Sequence, residues 1–230
     1  MNISPDEIII FQWGSIVINA TVYYTWIIMF ILLAFSWILS RNLTSGMHLS
    51  KGQNLLEVIV GGIREQIRDV AQDEPDKYMP FVGTLFIFIA ISNTLGLIPG
   101  FEPPTGSILT TASLAICVFF AVPIFGIKEK GLKGYFRHYV QPTVVMLPFN
   151  VIGELSRTLA LAVRLFGNVM SGTLIVGILV SFVPLFFPIV MQVFGLLIGL
   201  IQAYIFAILA MVYIASGSRA HSEKENLNNT

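Results

Sequence analysis

An all-α polytopic membrane protein is the fold class this sequence predicts, with about five transmembrane helices, the last two a long hairpin, and one cytoplasmic amphipathic helix. Three observations carry that prediction. Hydrophobic residues make up 55% of the 230 positions and charged residues only 11%, with a mean hydropathy of +0.80. Several apolar runs reach the ~20 residues needed to cross a hydrocarbon core. Lys and Arg gather in a few segments between those runs, the pattern that fixes membrane orientation. The 13 basic residues balance the 13 acidic ones, which argues against a nucleic-acid partner. The whole chain, 1–230, reads as a single integral membrane domain.

Residues 1–15 form a short polar-to-aromatic lead, and the acidic start MNISPDE lacks the positive region of a cleavable signal. The first span is expected at about 16–39, with Trp13, Tyr23, Tyr24, Trp26 and Trp37 as interface anchors. No Lys or Arg precedes Arg41, whereas Arg41, Lys51, Arg64, Arg68 and Lys77 follow it. The N-terminus is therefore expected outside and the segment 41–77 inside. Within that segment Leu55, Leu56, Ile59, Ile63, Ile67 and Val70 recur at helical spacing. They predict an amphipathic helix lying on the membrane or against a partner. The second span is expected at about 80–98, with Pro80 in its first turn, and the third at about 108–127. Lys128, Lys130, Lys133 and Arg137 place the next segment inside again. Positions 165–218 contain no charged side chain. That length exceeds one crossing, so Pro184 and Pro188 are expected to break it into two helices. The hairpin arms are placed at about 144–181 and 186–216, and the polar tail at 218–230 is expected in the cytoplasm. The lone Cys117 sits in an apolar run and reads as a small core residue.

The stretch Glu154–Gly172, ELSRTLALAVRLFGNVMSG, sets three charged residues in an otherwise apolar hairpin arm. Arg157 and Arg164 share a helix face. A cation at bilayer depth costs ~2.5–3.5 kcal/mol even on the lenient insertion scale. Glu154 suits Arg157 as an intramembrane ion-pair partner at i−3, but it lies about 15 Å from Arg164 along an ideal helix. Arg164 is therefore expected to be functional, facing protein or trapped water. In the second arm Gln192, Gly195, Gly199, Gln202 and Phe206 form one narrow stripe, which suits close helix packing. Asn93 reads either as a structural amide or as the lining of an aqueous path.

Arg164-Leu165-Phe166-Gly167-Asn168 with Gly172 resembles the core motif of subunit a of the F-type ATP synthases. SNTLGLIPG (92–100), PPTGS…TT (103–111) and IQAYIFAILAMVYIA (201–215) agree with it in order. The resemblance implies a noncatalytic stator subunit in a bacterial plasma membrane, needing no cofactor, with ATP chemistry on other polypeptides. Its implied partners are a c-subunit ring, b-type peripheral stalk subunits, the remaining synthase complex and the lipid bilayer. It implies a strongly tilted hairpin around the ring and two offset aqueous half-channels, one from each side. Arg164 would separate them, with Gln202 near it, and Asn168, Ser171, Thr173 and Asn93 would supply the polar edge of the ion path. Thr173 stands where many proton-translocating relatives resemble one another in carrying a carboxylate. Gly195 and Gly96 replace a histidine and an acidic residue found in some. The remaining neutral oxygens suit sodium, whereas the proton is the commoner ion of the resembled family.

A secondary transporter or channel using Glu154, Arg157 and Arg164 as its own substrate site is the alternative. It would carry inverted repeats, which the sequence lacks. A purely structural assembly subunit is a further rival. His48, His138 and His221 lack metal-ligand spacing, and no phosphate loop, nucleophile elbow or intramembrane carboxylate pair is present.

Overall fold

The computed structural model describes residues 6, 9–13, 16–41, 51–71, 74–98, 100–140, 146–182 and 187–219. The chain opens with a two-stranded antiparallel hairpin, β1 (Ile9–Trp13) and β2 (Ile16–Asn19), which pairs Trp13 with Ile16 and carries an irregularity between Ile9 and Phe11. The helices follow in the order α1 (Ala20–Arg41), α2 (Lys51–Ala71), α3 (Met79–Leu95), α4 (Ile108–Val140), α5 (Met146–Phe182) and α6 (Phe187–Arg219). Four of them, α1, α4, α5 and α6, are long and apolar enough to cross a membrane, and α3 is a shorter apolar helix.

Three local features depart from the sequence reading. The first helix starts at Ala20, because Ile16–Asn19 is a strand. The β-branched run Ile16-Val17-Ile18 fits a pleated pair as well as a helix, and periodicity cannot separate the two over so few residues. α4 runs to Val140 instead of ending near 127, broken at Gly131, whose φ of 72° suits a residue without Cβ. Beyond that break Tyr135 turns back onto Gly126, where a Cβ would lie 2.7 Å from a ring carbon. Cys117 is exposed on the outside of α4, because an apolar run in a membrane chain can face lipid as readily as core. Pro184, expected at the fold-back, lies outside the described residues.

α6 is the hub of the bundle. Its Ala203, Phe206, Ala207 and Ala210 are buried, and the small residues among them let neighbouring backbones approach. α3 brings Leu85, Phe88 and Ile89 to this core, α4 brings Ala115 and Val118, and α5 brings Leu161, Ala162 and Leu165. A second cluster joins Ile67 of α2 to Tyr78, Val82, Met211 and Ile214. α2 is held from both ends of that contact. The Tyr204 hydroxyl donates to Gln66 Oε1 at 2.5 Å, and Arg64 pairs with Asp76 in the turn before α3 at 2.5 Å. Its amphipathic pattern thus resolves into Ile67 buried inward and Val58, Ile59 and Val60 exposed.

α5 is the exception to this packing. Over 37 residues, about 55 Å of helix, its buried residues are Leu161, Ala162 and Leu165. The rest of its outer face is open within this chain.

Candidate functional site

Two cavities, each bordered by several polar side chains, lie toward opposite ends of the α5–α6 hairpin. The first, about 330 Å³, sits where α5 begins and α6 ends, and its lining includes Asn150, Glu154, Arg157, Thr158, Tyr213 and Ser216. The second, about 440 Å³, sits where α5 ends and α6 begins. Asn93 of α3, Asn168, Ser171 and Thr173 of α5, and Gln192 and Gly195 of α6 all reach it. Four residues that the resemblance assigns to the edge of the ion path, Asn93, Asn168, Ser171 and Thr173, thus line one space. Arg164 lies between the cavities, about 9 Å of helix rise beyond Thr158 and about 6 Å before Asn168. Gln192 joins the second cavity as a polar group that its stripe with Gly195 and Gly199 could have pointed to.

The helix period explains which way Arg164 faces. Leu161 and Leu165 turn into the core, so Arg164 is carried onto the exposed outer side of α5. Among the described residues its guanidinium makes no hydrogen bond or ion pair. It shares that open side with Ser156, Ala160, Gly167 and Ser171, all exposed. Cβ atoms at Gly153, Gly167 and Gly172 would meet nothing within 4 Å, so packing within this chain does not demand glycine at any of them.

Arg157 is placed differently. Its guanidinium carbon lies 5.7 Å from the Tyr213 ring centroid, within the range of a cation–π contact. That contact ties α5 to α6 at the wall of the first cavity. Glu154 lines the same cavity, and its backbone carbonyl accepts the Thr158 hydroxyl at 2.9 Å.

Asn93 has a structural role and also borders the second cavity. Its Nδ2 donates to the Gly199 carbonyl at 2.8 Å, and its Oδ1 accepts from Thr105 Oγ1 at 2.7 Å. A Cβ at Gly199 would come within 3.1 Å of Asn93 Cβ, so the close approach of α3 and α6 depends on that glycine. Asn93→Ala leaves a carbonyl and a hydroxyl without partners, each costing ~1–3 kcal/mol when buried. It should lower the thermal unfolding midpoint of the solubilised protein by several degrees; an unchanged midpoint would show that these bonds hold nothing.

Gln202 is 7% exposed, and its Nε2 has no hydrogen-bond partner among the described residues. It is not hydrogen-bonded to Arg164. Gly199, one turn earlier on α6, lines the second cavity. No group of three or more His, Cys, Asp or Glu among the described residues could hold a metal ion.

A bundle of long apolar helices, with a cavity toward each end of its hairpin and an arginine turned outward between them, defines an integral membrane protein. The chain belongs to the ATP synthase A chain family, which it matches over residues 22–215. It is 60% identical to ATP synthase subunit a 2 of Acaryochloris marina over 219 residues, covering 95% of this chain and 94% of that protein. It is 57% identical to ATP synthase subunit a 1 of Crocosphaera subtropica and 56% identical to ATP synthase subunit a of Albidiferax ferrireducens. Each of those matches covers 97% of both chains. Membership makes it a membrane subunit of an ATP synthase complex, seated among other subunits.

Proposed function

We propose that this chain is the ion-translocating stator of a rotary ATP synthase, and that the two cavities are its aqueous half-channels. The observation that carries the reading is the position of Arg164, outward-facing and flanked toward each end of the hairpin by a cavity that polar side chains border. The partner on that open side is a ring of c subunits, each presenting a membrane-embedded carboxylate. A carboxylate takes an ion from one cavity, turns through the lipid, and releases it into the other. Arg164 favours the ion-free carboxylate as it passes and blocks direct flow between the cavities. Two opposite charges 4 Å apart attract by ~4 kcal/mol at an effective dielectric of 20, enough to decide which state faces the arginine. Arginine suits this because it stays charged where a buried lysine can lose its proton. The membrane potential supplies ~2.3 kcal/mol per charge per 100 mV.

The basic residues after α1 and along 128–137 support a cytoplasmic placement of that end. The first cavity then opens inside and the second outside, with the N-terminus outside, the C-terminus in the cytoplasm, and the plasma membrane of a bacterium as the setting. The peripheral stalk, of b-type subunits, would hold the chain against rotation. The outer cavity has no carboxylate or imidazole among the described residues that line it. Its neutral oxygens suit a hydrated sodium ion as well as a proton carried by water. Gln202 extends that path: its unpartnered amide offers a bound water a donor one turn beyond the cavity wall. Glu154 is the carboxylate among the described residues lining the inner cavity, and Arg157 on Tyr213 shapes its wall.

Sidedness tests the reading in sealed vesicles of the whole complex. With Cys117 changed to Ser, a membrane-impermeant thiol reagent should modify Ser171→Cys only from the outside. Thr158→Cys should react only from the cytoplasmic side. Reaction of both from the same side would sink the two-channel arrangement.

A further inference from the structure

The outer end of the bundle is held together by a polar cluster that reaches from the N-terminal lead to the wall of the outer cavity. Residues 103–107, the turn leading into α4, are all buried. Ser107 caps α4: its Oγ accepts the Leu109 N–H at 3.2 Å. The same hydroxyl donates to the Asp6 carboxylate, with Oγ 2.7 and 2.9 Å from its two oxygens. Thr21, at the start of α1, donates to Asp6 Oδ1 at 2.6 Å. Tyr24, one turn on, donates from its hydroxyl to the Gly100 carbonyl at 2.9 Å. Two residues before Ser107, Thr105 bonds Asn93, which bonds Gly199 on α6. Asn93, Pro103 and Gly199 are walls of the outer cavity. A carboxylate in the N-terminal lead is thereby linked, through one buried turn, to the wall of the cavity.

We infer that Asp6 is a positioning residue of ion translocation: it pins the turn 103–107 and so sets the width of the outer cavity. Two properties favour this over a passive tether. Hydrogen bonds to an ionised acceptor are roughly twice as strong as neutral ones, so this is the firmest grip on the turn. The carboxylate also lies at the N-terminus of α4, where the helix dipole favours a negative charge. The turn cannot shift without moving Thr105, and with it the amide that spaces α3 from α6. The lead ahead of the first membrane helix is therefore part of the ion path's architecture.

The inference rests on the reading of the second cavity as the outside half-channel, and the test separates the two. In vesicles of the whole complex, ATP synthesis is titrated with external sodium chloride at fixed pH and with external pH at fixed sodium. ATP-driven pumping is titrated with the same ions on the cytoplasmic side. Asp6→Ala should raise the external ion concentration for half-maximal synthesis about fivefold, the scale of one lost hydrogen bond. The cytoplasmic half-saturation should not move. Asp6→Asn, which keeps one acceptor oxygen, should recover most of the shift, and Thr105→Val, which cuts the far end of the linkage, should reproduce it. An assembled Asp6→Ala complex with neither half-saturation changed, or with both changed equally, overturns the inference. If Asp6→Ala does not assemble, Thr105→Val is held to the same criteria. Gly195→Leu fills the cavity directly. If it leaves external half-saturation and rate unchanged, the outer-channel reading falls and the inference with it. If it shifts them while Asp6→Ala does not, only the role of Asp6 falls.

Discussion

Arg164→Ala should leave an assembled complex in which ion-coupled ATP synthesis is lost. The expected fall is at least ~100-fold, since the attraction removed is of the order of 4 kcal/mol at an effective dielectric of 20. Among the described residues nothing depends on the side chain for packing: it is exposed, and the adjoining Leu161 and Leu165 hold α5 in place. Removing it would also remove the proposed barrier between the cavities, so a passive leak of labelled sodium or of protons should appear. Arg157→Ala provides the contrast. It loses a cation–π contact with Tyr213, worth about 0.5–1 kcal/mol at an exposed site, and should lower synthesis only a few-fold. Vesicles that keep coupled synthesis after Arg164→Ala would refute the central role given to this residue.

Gly167→Leu should separate folding of the chain from assembly. The position is exposed, and a Cβ there meets nothing within 4 Å, so the substituted chain should insert and reach normal levels in the membrane. Its neighbours on the same side, Ser156, Ala160 and Ser171, are also small. Small residues in a membrane helix admit a second helix at close range, and a leucine in that seam would hold it off. Co-purification of the c-subunit ring should fall at least ~10-fold, while Phe30→Leu on the exposed face of α1 leaves it intact. Normal recovery of the ring with the leucine in place would show that the partner does not dock on this side of α5.

Much of the helical order is legible because the apolar runs are long and the basic residues between them are clustered. The lead is less so. Ile16-Val17-Ile18 joins the apolar run of α1 without a break, and nothing local announces that it pairs with Phe11–Trp13. The continuation of α4 to Val140 is hidden for a different reason: its charged residues read as a connecting segment, and only Gly131 marks the break. Cys117 shows a limit of the membrane setting, where an apolar neighbourhood does not distinguish core from lipid. At the site, Arg164 is legible from the cost of its charge, and its outward direction follows once Leu161 and Leu165 are known to be buried. Asn168, Ser171 and Thr173 share a short stretch of sequence, so their common cavity is unsurprising. Asn93 joins them from 75 residues away, which only the packing of α3 against α6 reveals. Asp6 gives no signal of its kind in the sequence, since its partners lie 15 and 101 positions further on.

α5 faces outward over most of its length, so a copy synthesised ahead of its neighbours is an incomplete fold. It then holds an unneutralised guanidinium against lipid, at ~2.5–3.5 kcal/mol on the insertion scale, beside a seam of bare glycine and serine. Docking of the proposed ring on this side would remove both defects together. Orphan and assembled copies would therefore differ in how much of this one helix lies bare.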